Sequence, residues 1–285
     1  MKLPAFEYAC PTTLSEAVAL LASHDGDAKA LAGGQSLMPM MAFRVAQPSL
    51  LVDLRKIQDL KGIRISPDGT RLGALTRWRD IQDDRALAKA QPLLAAAIAH
   101  VAHYQIRNRG TVGGSLAHAD PAAEMPGVAV TCDAEIAVMG KKGARTIKAA
   151  DFFLGALTTA LEPDEIITEV KLPFWPAERR CGFQEFARRR GDFAMSGVAL
   201  FYDLDKGGKA TNAHVGVIGV GEHARRLPTV EAAINGNTVD DATIAEAAAA
   251  ATAAVTPNDD IHASAAYRKA LTGTLVERAL KAAAA

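Results

Sequence analysis

Two glycine pairs in similar polar surroundings, Gly33-Gly34 and Gly113-Gly114, constrain this chain more than any other feature. Each pair follows an apolar stretch and is flanked by hydroxyl or amide side chains. Because glycine has no Cβ, backbone N–H groups and neighbouring hydroxyls can crowd around one anion at such a bend. The two pairs are about eighty residues apart. We therefore expect two loops that fold together over one diphosphate, which makes a dinucleotide the first ligand to test.

A tight turn without a ligand is the alternative for either pair taken alone. Against it, Gln35, Ser36, Thr111 and Ser115 place polar groups in otherwise apolar surroundings, where unpaired polar groups are costly. A bound polar ligand would satisfy them. Neither pair continues as the Gly-Lys-Ser of a nucleotide-hydrolysing phosphate loop, so the sequence argues against phosphoryl transfer.

Composition narrows the class of protein further. The chain has 285 residues, 49% of them apolar and 22% charged, which is typical of a globular protein of two or three domains. Lys plus Arg equals Asp plus Glu at 32 each, so no net charge favours nucleic acid or an anionic membrane. Three scattered cysteines indicate neither a disulfide framework nor a local metal cluster. No apolar run approaches the roughly 20 residues of a membrane span, and we expect a cytoplasmic protein.

The spacing of apolar residues predicts strands and helices in an α+β arrangement. Proline residues at 173 and 176 form a rigid break that we interpret as a domain boundary. The predicted strands are 29–32, 50–54, 60–65, 71–75, 134–139, 165–172, 181–187, 196–203 and 213–220, and the predicted helices begin after Thr13, at Pro92, near 242 and near 263.

Three other patterns have competing interpretations. Residues 219–224 match a Rossmann glycine fingerprint, but Pro228 would interrupt the helix that such a site needs, so we predict a strand end and a turn. His118, Asp120 and Glu124 suggest a metal site, yet no second cluster completes the ligand set. We expect Asp120 either to accept hydrogen bonds from sugar or ribityl hydroxyls or to cap a helix.

A basic run at 188–190 is followed by Gly191 and Phe193, a pattern typical of a turn that presents an aromatic ring. That ring could cover a planar cofactor or pack into the core. No Ser–His–Asp or Cys–His arrangement can be argued from the sequence, and we predict no catalytic side chain.

Together these residues resemble the FAD-binding medium subunits of the molybdenum hydroxylases, the xanthine dehydrogenase and carbon monoxide dehydrogenase family. The resemblance extends over nearly the whole chain. It implies an α+β fold with a PCMH-type FAD-binding domain of two subdomains, 1–56 and 57–177, and a C-terminal α+β domain at 178–285 with a small antiparallel sheet and helices. The motifs that carry it are residues 32–36, 107–115, 117–121, 158–167 and 190–194.

The resemblance also implies where FAD would bind. Both glycine loops would wrap its pyrophosphate, and Lys29 with the 32–36 backbone would line the adenosine side. Phe193 stands where some relatives carry Tyr, so the resemblance does not imply a gating phenol hydroxyl here. Gln184 stands where others carry Lys, which weakens the expectation that this chain docks NAD. The full set of expected cofactor-binding residues is Lys29, Leu31, Ala32, Gly33, Gly34, Gln35, Ser36, Val101, Ala102, Thr111, Gly113, Gly114, Ser115, Ala117, Asp120, Glu124, Leu161, Ile167 and Phe193.

The implied role is electron transfer within a heterotrimer. A large molybdopterin-cofactor subunit would oxidise the substrate, a small subunit with two [2Fe-2S] clusters would relay the electrons, and the FAD of this chain would pass them to an external acceptor. The redox chemistry would belong to the cofactor, which explains the lack of a catalytic triad. The alternatives are a self-sufficient FAD-dependent oxidoreductase and a cofactor-free scaffold.

Overall fold

The computed structural model describes residues 2–284, and its first layer is a three-stranded parallel sheet. The strand order is β1-β3-β2, with β3 in the centre and all four of its residues buried. A central parallel strand is covered on both faces, which explains its continuous apolar run. The elements of this layer are β1 (Glu7–Ala9), α1 (Leu14–Ala22), β2 (Ala28–Leu31), α2 (Leu37–Ala42) and β3 (Leu50–Asp53).

The register of this sheet places the first glycine motif. Leu31 pairs with Asp53, so β2 and β3 end at the same edge, and residues 32–36 leave β2 there.

At the start of α1, Thr13 accepts a hydrogen bond from the Glu16 N–H at 3.2 Å, as expected for an N-cap.

The second layer is a five-stranded antiparallel sheet in the order β4-β5-β10-β6-β7. The helices between β5 and β6 cover this sheet, and their apolar faces form the main core. The helix that begins at Pro92 buries Leu93, Leu94, Ala97 and Ile98, the inner face that its spacing predicts. The elements are two 3₁₀ helices (Leu54–Lys56, Gln58–Leu60), β4 (Ile63–Ser66), β5 (Gly69–Gly73), α3 (Trp78–Asp83), α4 (Arg85–Ala90), α5 (Pro92–Ile98), α6 (Tyr104–Arg107), α7 (Val112–His118), α8 (Glu124–Thr131), β6 (Glu135–Gly140), β7 (Gly143–Lys148), α9 (Ala149–Phe152), β8 (Phe153–Gly155), β9 (Thr158–Thr159) and β10 (Ile166–Leu172).

The third layer is an antiparallel sheet, β11-β12-β13-β14, with three helices on one face. The last helix lies so close to β11 that a Cβ on Gly182 would stand 2.3 Å from the Ala279 carbonyl oxygen. The other face of the sheet contacts α5 and α8 of the second layer. The elements are β11 (Arg180–Phe186), β12 (Ser196–Leu204), β13 (Ala210–Ile218), β14 (Arg225–Arg226), α10 (Pro228–Ile234), α11 (Asp241–Ala254) and α12 (Ala265–Ala284).

The α+β fold class and most predicted elements are confirmed. Residues 219–223 form bends after β13, and Pro228 is the first residue of α10, so no helix begins at the glycine fingerprint and it is not a Rossmann site. Several short elements were not predicted: the strands β1, β7, β8, β9 and β14, and the helices α2, α3, α4, α6, α7, α8, α9 and α10. Among the described residues, no helix has the length and apolarity that a membrane crossing requires.

Candidate cofactor-binding site

The two glycine motifs meet in space. A Cβ on Gly33 would stand 2.2 Å from the carbonyl oxygen of Arg109, and one on Gly114 would stand 3.8 Å from Cβ of Ala32. Only glycine at position 33 permits this backbone contact, since real Cβ atoms do not approach an oxygen so closely. The two glycine motifs, about eighty residues apart in the sequence, therefore lie against each other as expected.

A cavity of about 380 Å³ lies beside this contact. Four of the predicted residues line it: Leu31, Ala32, Gly33 and Thr111. Sequence reasoning missed the others, which include four cations and two carboxylates, so the lining is basic. They are Asp53, Arg55, Lys61, Leu75, Arg77, Asp80, Asn108 and Arg109. Asn108 and Arg109 belong to a motif of the family resemblance, but no local pattern in the sequence indicates Arg55, Lys61 or Arg77.

The first glycine motif is a bend with unpaired donors. Gly34 has a φ of +74°, in the left-handed region that favours glycine, and the Gln35 side-chain amide donates to the Gly33 carbonyl oxygen at 3.1 Å. Among residues 2–284, no acceptor receives a hydrogen bond from the N–H groups of 33–36. A run of free backbone donors beside a basic cavity suits a bound anion such as a diphosphate.

The second motif is built differently, which corrects the expectation of two equivalent loops. Gly113 and Gly114 lie in the first turn of α7. The Gly113 N–H donates to the Ala74 carbonyl oxygen at 2.8 Å, and the Gly114 N–H donates to Oγ1 of Thr111 at 3.2 Å. Thr111 is a favourable N-cap, and the helix start uses the amides that a second loop would have offered.

Glycine at 113 serves close packing, because its Cβ would stand 2.7 Å from Cβ of Ala74. The second motif still offers hydroxyl groups. Thr111 accepts a hydrogen bond from Gly114, so its own hydroxyl proton can be donated into the cavity that it lines. Oγ of Ser115 makes no hydrogen bond within residues 2–284.

A second group of predicted residues, Val101, Ala102 and Phe193, lies outside the lining of this cavity. The Arg107 guanidinium donates to the carbonyl oxygens of Val101 and Ala102, both at 2.8 Å, and holds a bend in which Ala102 has a φ of +39°. A Cβ on Gly191 would stand 2.4 Å from the His103 ring, so the 191–193 turn lies against this bend. Phe193 is 72% exposed, so the alternative that its ring packs into the core is wrong.

The remaining predicted residues do not line the cavity. Oδ1 of Asp120 accepts a hydrogen bond from the Ala122 N–H at 2.9 Å within a turn. The helix that follows, α8, begins at Glu124 with Ala123 as its N-cap, so the helix-capping alternative for Asp120 is wrong. Ile167 is buried in the core, the Leu161 N–H donates to Oγ1 of Thr159, and Lys29 is exposed on β2. Ala117 is exposed on α7.

Asp53 is a buried carboxylate in the cavity wall, 1% exposed. It accepts hydrogen bonds from the Tyr8 hydroxyl at 2.8 Å and from Nε of Arg55 at 2.6 Å. Burial alone would raise the pKa of Asp53, but the hydrogen bonds from Arg55 and Tyr8 outweigh it and lower that pKa. The hydrogen bond to Asp53 in turn raises the pKa of Tyr8 to about 12. This side of the cavity therefore keeps a fixed negative charge that Arg55 neutralises.

Two largely buried carboxyl groups, Glu124 at the start of α8 and Glu185 on β11, are close enough that the charge of Glu124 acts on Glu185. Burial, and to a smaller extent the charge of Asp120, raises the pKa of Glu124 to about 7. Burial, then the charge of Glu124, raises the pKa of Glu185 to about 8. Oε2 of Glu185 is buried with no hydrogen-bond partner among the described residues. The pair can hold a proton near neutral pH, and no local pattern in the sequence indicated Glu185.

Two family models match the chain. One, the FAD binding domain in molybdopterin dehydrogenase, matches residues 4–175, and the other, the CO dehydrogenase flavoprotein C-terminal domain, matches residues 182–283. The nicotine 6-hydroxylase medium subunit of Paenarthrobacter nicotinovorans is 40% identical over 98% of each chain. The carbon monoxide dehydrogenase medium chain of Hydrogenophaga pseudoflava is 36% identical over 98% of this chain and 97% of the relative. A solved structure of carbon monoxide dehydrogenase from Hydrogenophaga pseudoflava superposes with a TM-score of 0.96 at 38% identity, covering 99% of this chain and 98% of the other.

Proposed function

This chain belongs to the FAD-binding medium subunits of the molybdenum hydroxylases, and on that premise we propose that it takes electrons from [2Fe-2S] clusters of a partner subunit and delivers them to an external acceptor. Its relatives are subunits of multi-subunit molybdenum enzymes, and its cofactor is FAD. The observation that carries the proposal is the contact between the Gly33 bend and the Arg109 carbonyl, beside a basic cavity.

Residues of both motifs would hold the diphosphate of FAD. The free N–H groups of 33–36 would donate to its oxygens, and the hydroxyls of Thr111 and Ser115 would add donors from the other side. The cations of the cavity wall would balance its charge. Bound FAD supplies the capacity to accept and release electrons, and this chain supplies binding, orientation and electrostatics.

The other expected contacts are proposals for the flavin end of the site. The bend at 101–102 and the turn at 191–193 lie together, and the exposed Phe193 ring is free to cover a planar group. The further residues proposed there are Ala117, Asp120, Glu124, Leu161 and Ile167, and Lys29 is proposed for the adenosine side.

The domain division 1–56, 57–177 and 178–285 is likewise a proposal. It is supported by the sheets, since none of the strands described pairs across either boundary. A heterotrimer with a molybdopterin subunit and an iron–sulfur subunit, and a cytoplasmic location, are predictions from the resemblance and from the sequence.

Reconstitution tests the function directly. The full chain is purified alone and again after co-expression with the molybdenum and iron–sulfur subunits of its complex. We expect one FAD in the isolated chain and bleaching of its absorbance when the chemically reduced iron–sulfur subunit is added. Turnover of substrate by the chain alone would favour a self-sufficient oxidoreductase. A colourless chain that takes up no added FAD would favour a cofactor-free scaffold.

A further inference from the structure

One arginine of the last helix, α12, is buried at the end of the C-terminal sheet. Arg268 is 7% exposed, and its guanidinium makes three hydrogen bonds. Nη1 donates to the carbonyl oxygens of Met195 at 2.7 Å and of Gly219 at 2.9 Å, and Nη2 donates to Oδ2 of Asp260 at 2.6 Å. Two of the three acceptors are backbone atoms of distant segments. Arg268 therefore joins α12 to two loops that lie far from it in the sequence.

Met195 closes the loop that connects β11 to β12. Its N–H donates to the Phe186 carbonyl oxygen at 2.9 Å, and its own carbonyl oxygen accepts the hydrogen bond from Arg268. We call residues 187–195 the Phe193 loop, since the exposed Phe193 ring stands two residues before Met195. Because Met195 is held from both sides, the bond from Arg268 sets the position from which the Phe193 loop extends.

Gly219 connects the same arginine to the FAD-binding domain. The Gly219 N–H donates to the Pro121 carbonyl oxygen at 2.8 Å, and Pro121 lies in the segment that contains Glu124, one of the residues proposed for the flavin end. Gly219 has a φ of +75°, and a Cβ there would stand 2.6 Å from the Ala194 carbonyl oxygen, so it also packs against the Phe193 loop. A single guanidinium nitrogen therefore links that loop to the FAD-binding domain.

The guanidinium is held in place from behind by Asp260. Oδ1 of Asp260 accepts hydrogen bonds from the His262 N–H at 2.8 Å and the Ala263 N–H at 3.0 Å. The hydrogen bond from Arg268, followed by those from these two amides, lowers the pKa of Asp260 to about 2, so the counter-ion of Arg268 stays charged at neutral pH.

This arrangement has a cost in stability. Nε of Arg268 is buried and has no hydrogen-bond partner among residues 2–284. A buried donor without an acceptor destabilises the folded chain, and an apolar side chain at 268 would avoid that loss. Packing alone therefore does not explain an arginine at this position.

From these contacts we infer that Arg268 is a positioning residue for the flavin end of the site, an inference that rests on the proposed function. It holds the Phe193 loop against the segment that contains Glu124, and so fixes where the Phe193 ring meets the flavin. The planar guanidinium can donate to several acceptors at fixed angles, whereas a lysine ammonium is a single charge on a flexible stem. Arg268 itself bonds none of the residues proposed to bind FAD, so it acts through the loop.

The first test removes the guanidinium but keeps the charge. Arg268→Lys cannot hold Met195, Gly219 and Asp260 together, so we expect exchange of the bonded Met195 and Gly219 amides to become about tenfold faster. FAD affinity should fall about tenfold, as for the loss of one aromatic contact. Hydrogen exchange with mass spectrometry and flavin titration of the full chain measure the two effects. The absorbance spectrum of bound FAD should change as well, because it responds to the groups that cover the flavin.

The matched control is Arg179→Lys, at the end of β11 and β12 that is opposite to the Phe193 loop. Arg179 is also largely buried and donates to both carboxylate oxygens of Asp203 at 2.8 Å. We expect this variant to lose stability in urea but to keep the FAD affinity and flavin spectrum of the wild type. Normal FAD affinity in Arg268→Lys, or equal losses of affinity in both variants, would overturn the inference.

A double-mutant cycle tests whether Arg268 acts through the aromatic ring. Phe193→Ala should weaken FAD binding about tenfold, and adding Arg268→Lys should weaken it little further, because the two changes remove the same contact. If the two losses multiply, Arg268 does not act through Phe193 and the inference fails. Asp260→Asn is a milder variant in case Arg268→Lys does not fold, and it should shift the same measurements in the same direction by a smaller factor.

Failure of this inference is distinguishable from failure of the proposed function. A wild-type chain that holds no FAD contradicts the proposed function. Exchange of the Met195 and Gly219 amides is measured on the FAD-free chain, so unchanged exchange in Arg268→Lys overturns the positioning role whether or not FAD binds.

Discussion

Residues 33–36 and residues 111–115 share a Gly-Gly pattern, but their backbones do different work. In the first motif, a left-handed glycine turns the chain and four N–H groups remain without a protein acceptor among residues 2–284. In the second, Thr111 caps a helix and the amides of both glycines are already bonded within the chain. The first motif can donate through its main chain, whereas the second can donate through its hydroxyls.

The comparison shows that a glycine pair does not by itself indicate an anion-binding loop. Glycine in the first motif allows one backbone to approach another, and glycine in the second lets a helix lie against Ala74. Both are steric requirements, but only the first leaves main-chain donors for a ligand.

The largest expected effect tests the contact on which the comparison depends. In Gly33→Ala, the new Cβ would meet the Arg109 carbonyl oxygen at 2.2 Å, so the two segments must separate. We expect FAD affinity to fall at least 100-fold and the free energy of unfolding to fall by about 2–3 kcal/mol, as for overpacked sites. Flavin titration and urea unfolding measure the two effects. Gly221→Ala is the control, because its nearest neighbour would lie at 3.7 Å, and equal losses there would contradict the steric argument.

The second effect separates the two motifs directly. Hydrogen exchange of the FAD-free chain should be fast at the amides of 33–36 and slow at Gly113 and Gly114, whose N–H groups are bonded. Added FAD should slow the first set by about tenfold or more and the second set far less. Mass spectrometry of overlapping peptides resolves the two sites. Equal slowing at both would show that the motifs bind in the same way.

The third effect tests the hydroxyl of the second motif. Thr111→Val removes the N-cap hydrogen bond to Gly114 and the hydroxyl that faces the cavity. We expect about 1 kcal/mol less stability, from the lost cap, and about tenfold weaker FAD binding. Thr111→Ser keeps the hydroxyl and should bind nearly as the wild type does. If Val and Ser behave alike in flavin titrations, the hydroxyl has no role.

The smallest effect concerns the shape of the first bend. Gln35→Ala removes the hydrogen bond from the side chain to the Gly33 carbonyl oxygen. A typical hydrogen bond contributes about 1 kcal/mol, so we expect FAD affinity to fall about fivefold with little change in stability. Isothermal titration measures the affinity. An affinity equal to that of the wild type would mean that the backbone holds this bend unaided.

Sequence patterns were sufficient where the signal is local. Pro92 begins a helix as predicted. The predicted strands 60–65 and 71–75 pair as β4 and β5, and the residues between them, Pro67, Asp68 and Gly69, are typical of turns. The family resemblance, carried by several motifs in order, led to the fold and the cofactor.

Local patterns failed where distant residues decide the structure. Gly113 and Gly114 disfavour a helix by about 1 kcal/mol each, yet the contact with Ala74 and the cap at Thr111 place them in one. The cations of the cavity and the burial of Glu185 arise from segments far apart in the chain. The edge strand β1 spans only three residues, too few to show a period.

Glu124 of α8 and Glu185 of β11 make the stability of the junction between the two matched regions sensitive to a rise in pH through neutrality. Folded pKa values of about 7 for Glu124 and about 8 for Glu185 lie above the ordinary 4.5 of a glutamate. The stability linked to these groups is therefore present below about pH 4.5 and is lost as the pH rises through 7 and 8. In that range both side chains become negative, and the cost of burying their charge, to which the charge of Glu124 adds at Glu185, would weaken the packing of α8 on the C-terminal sheet.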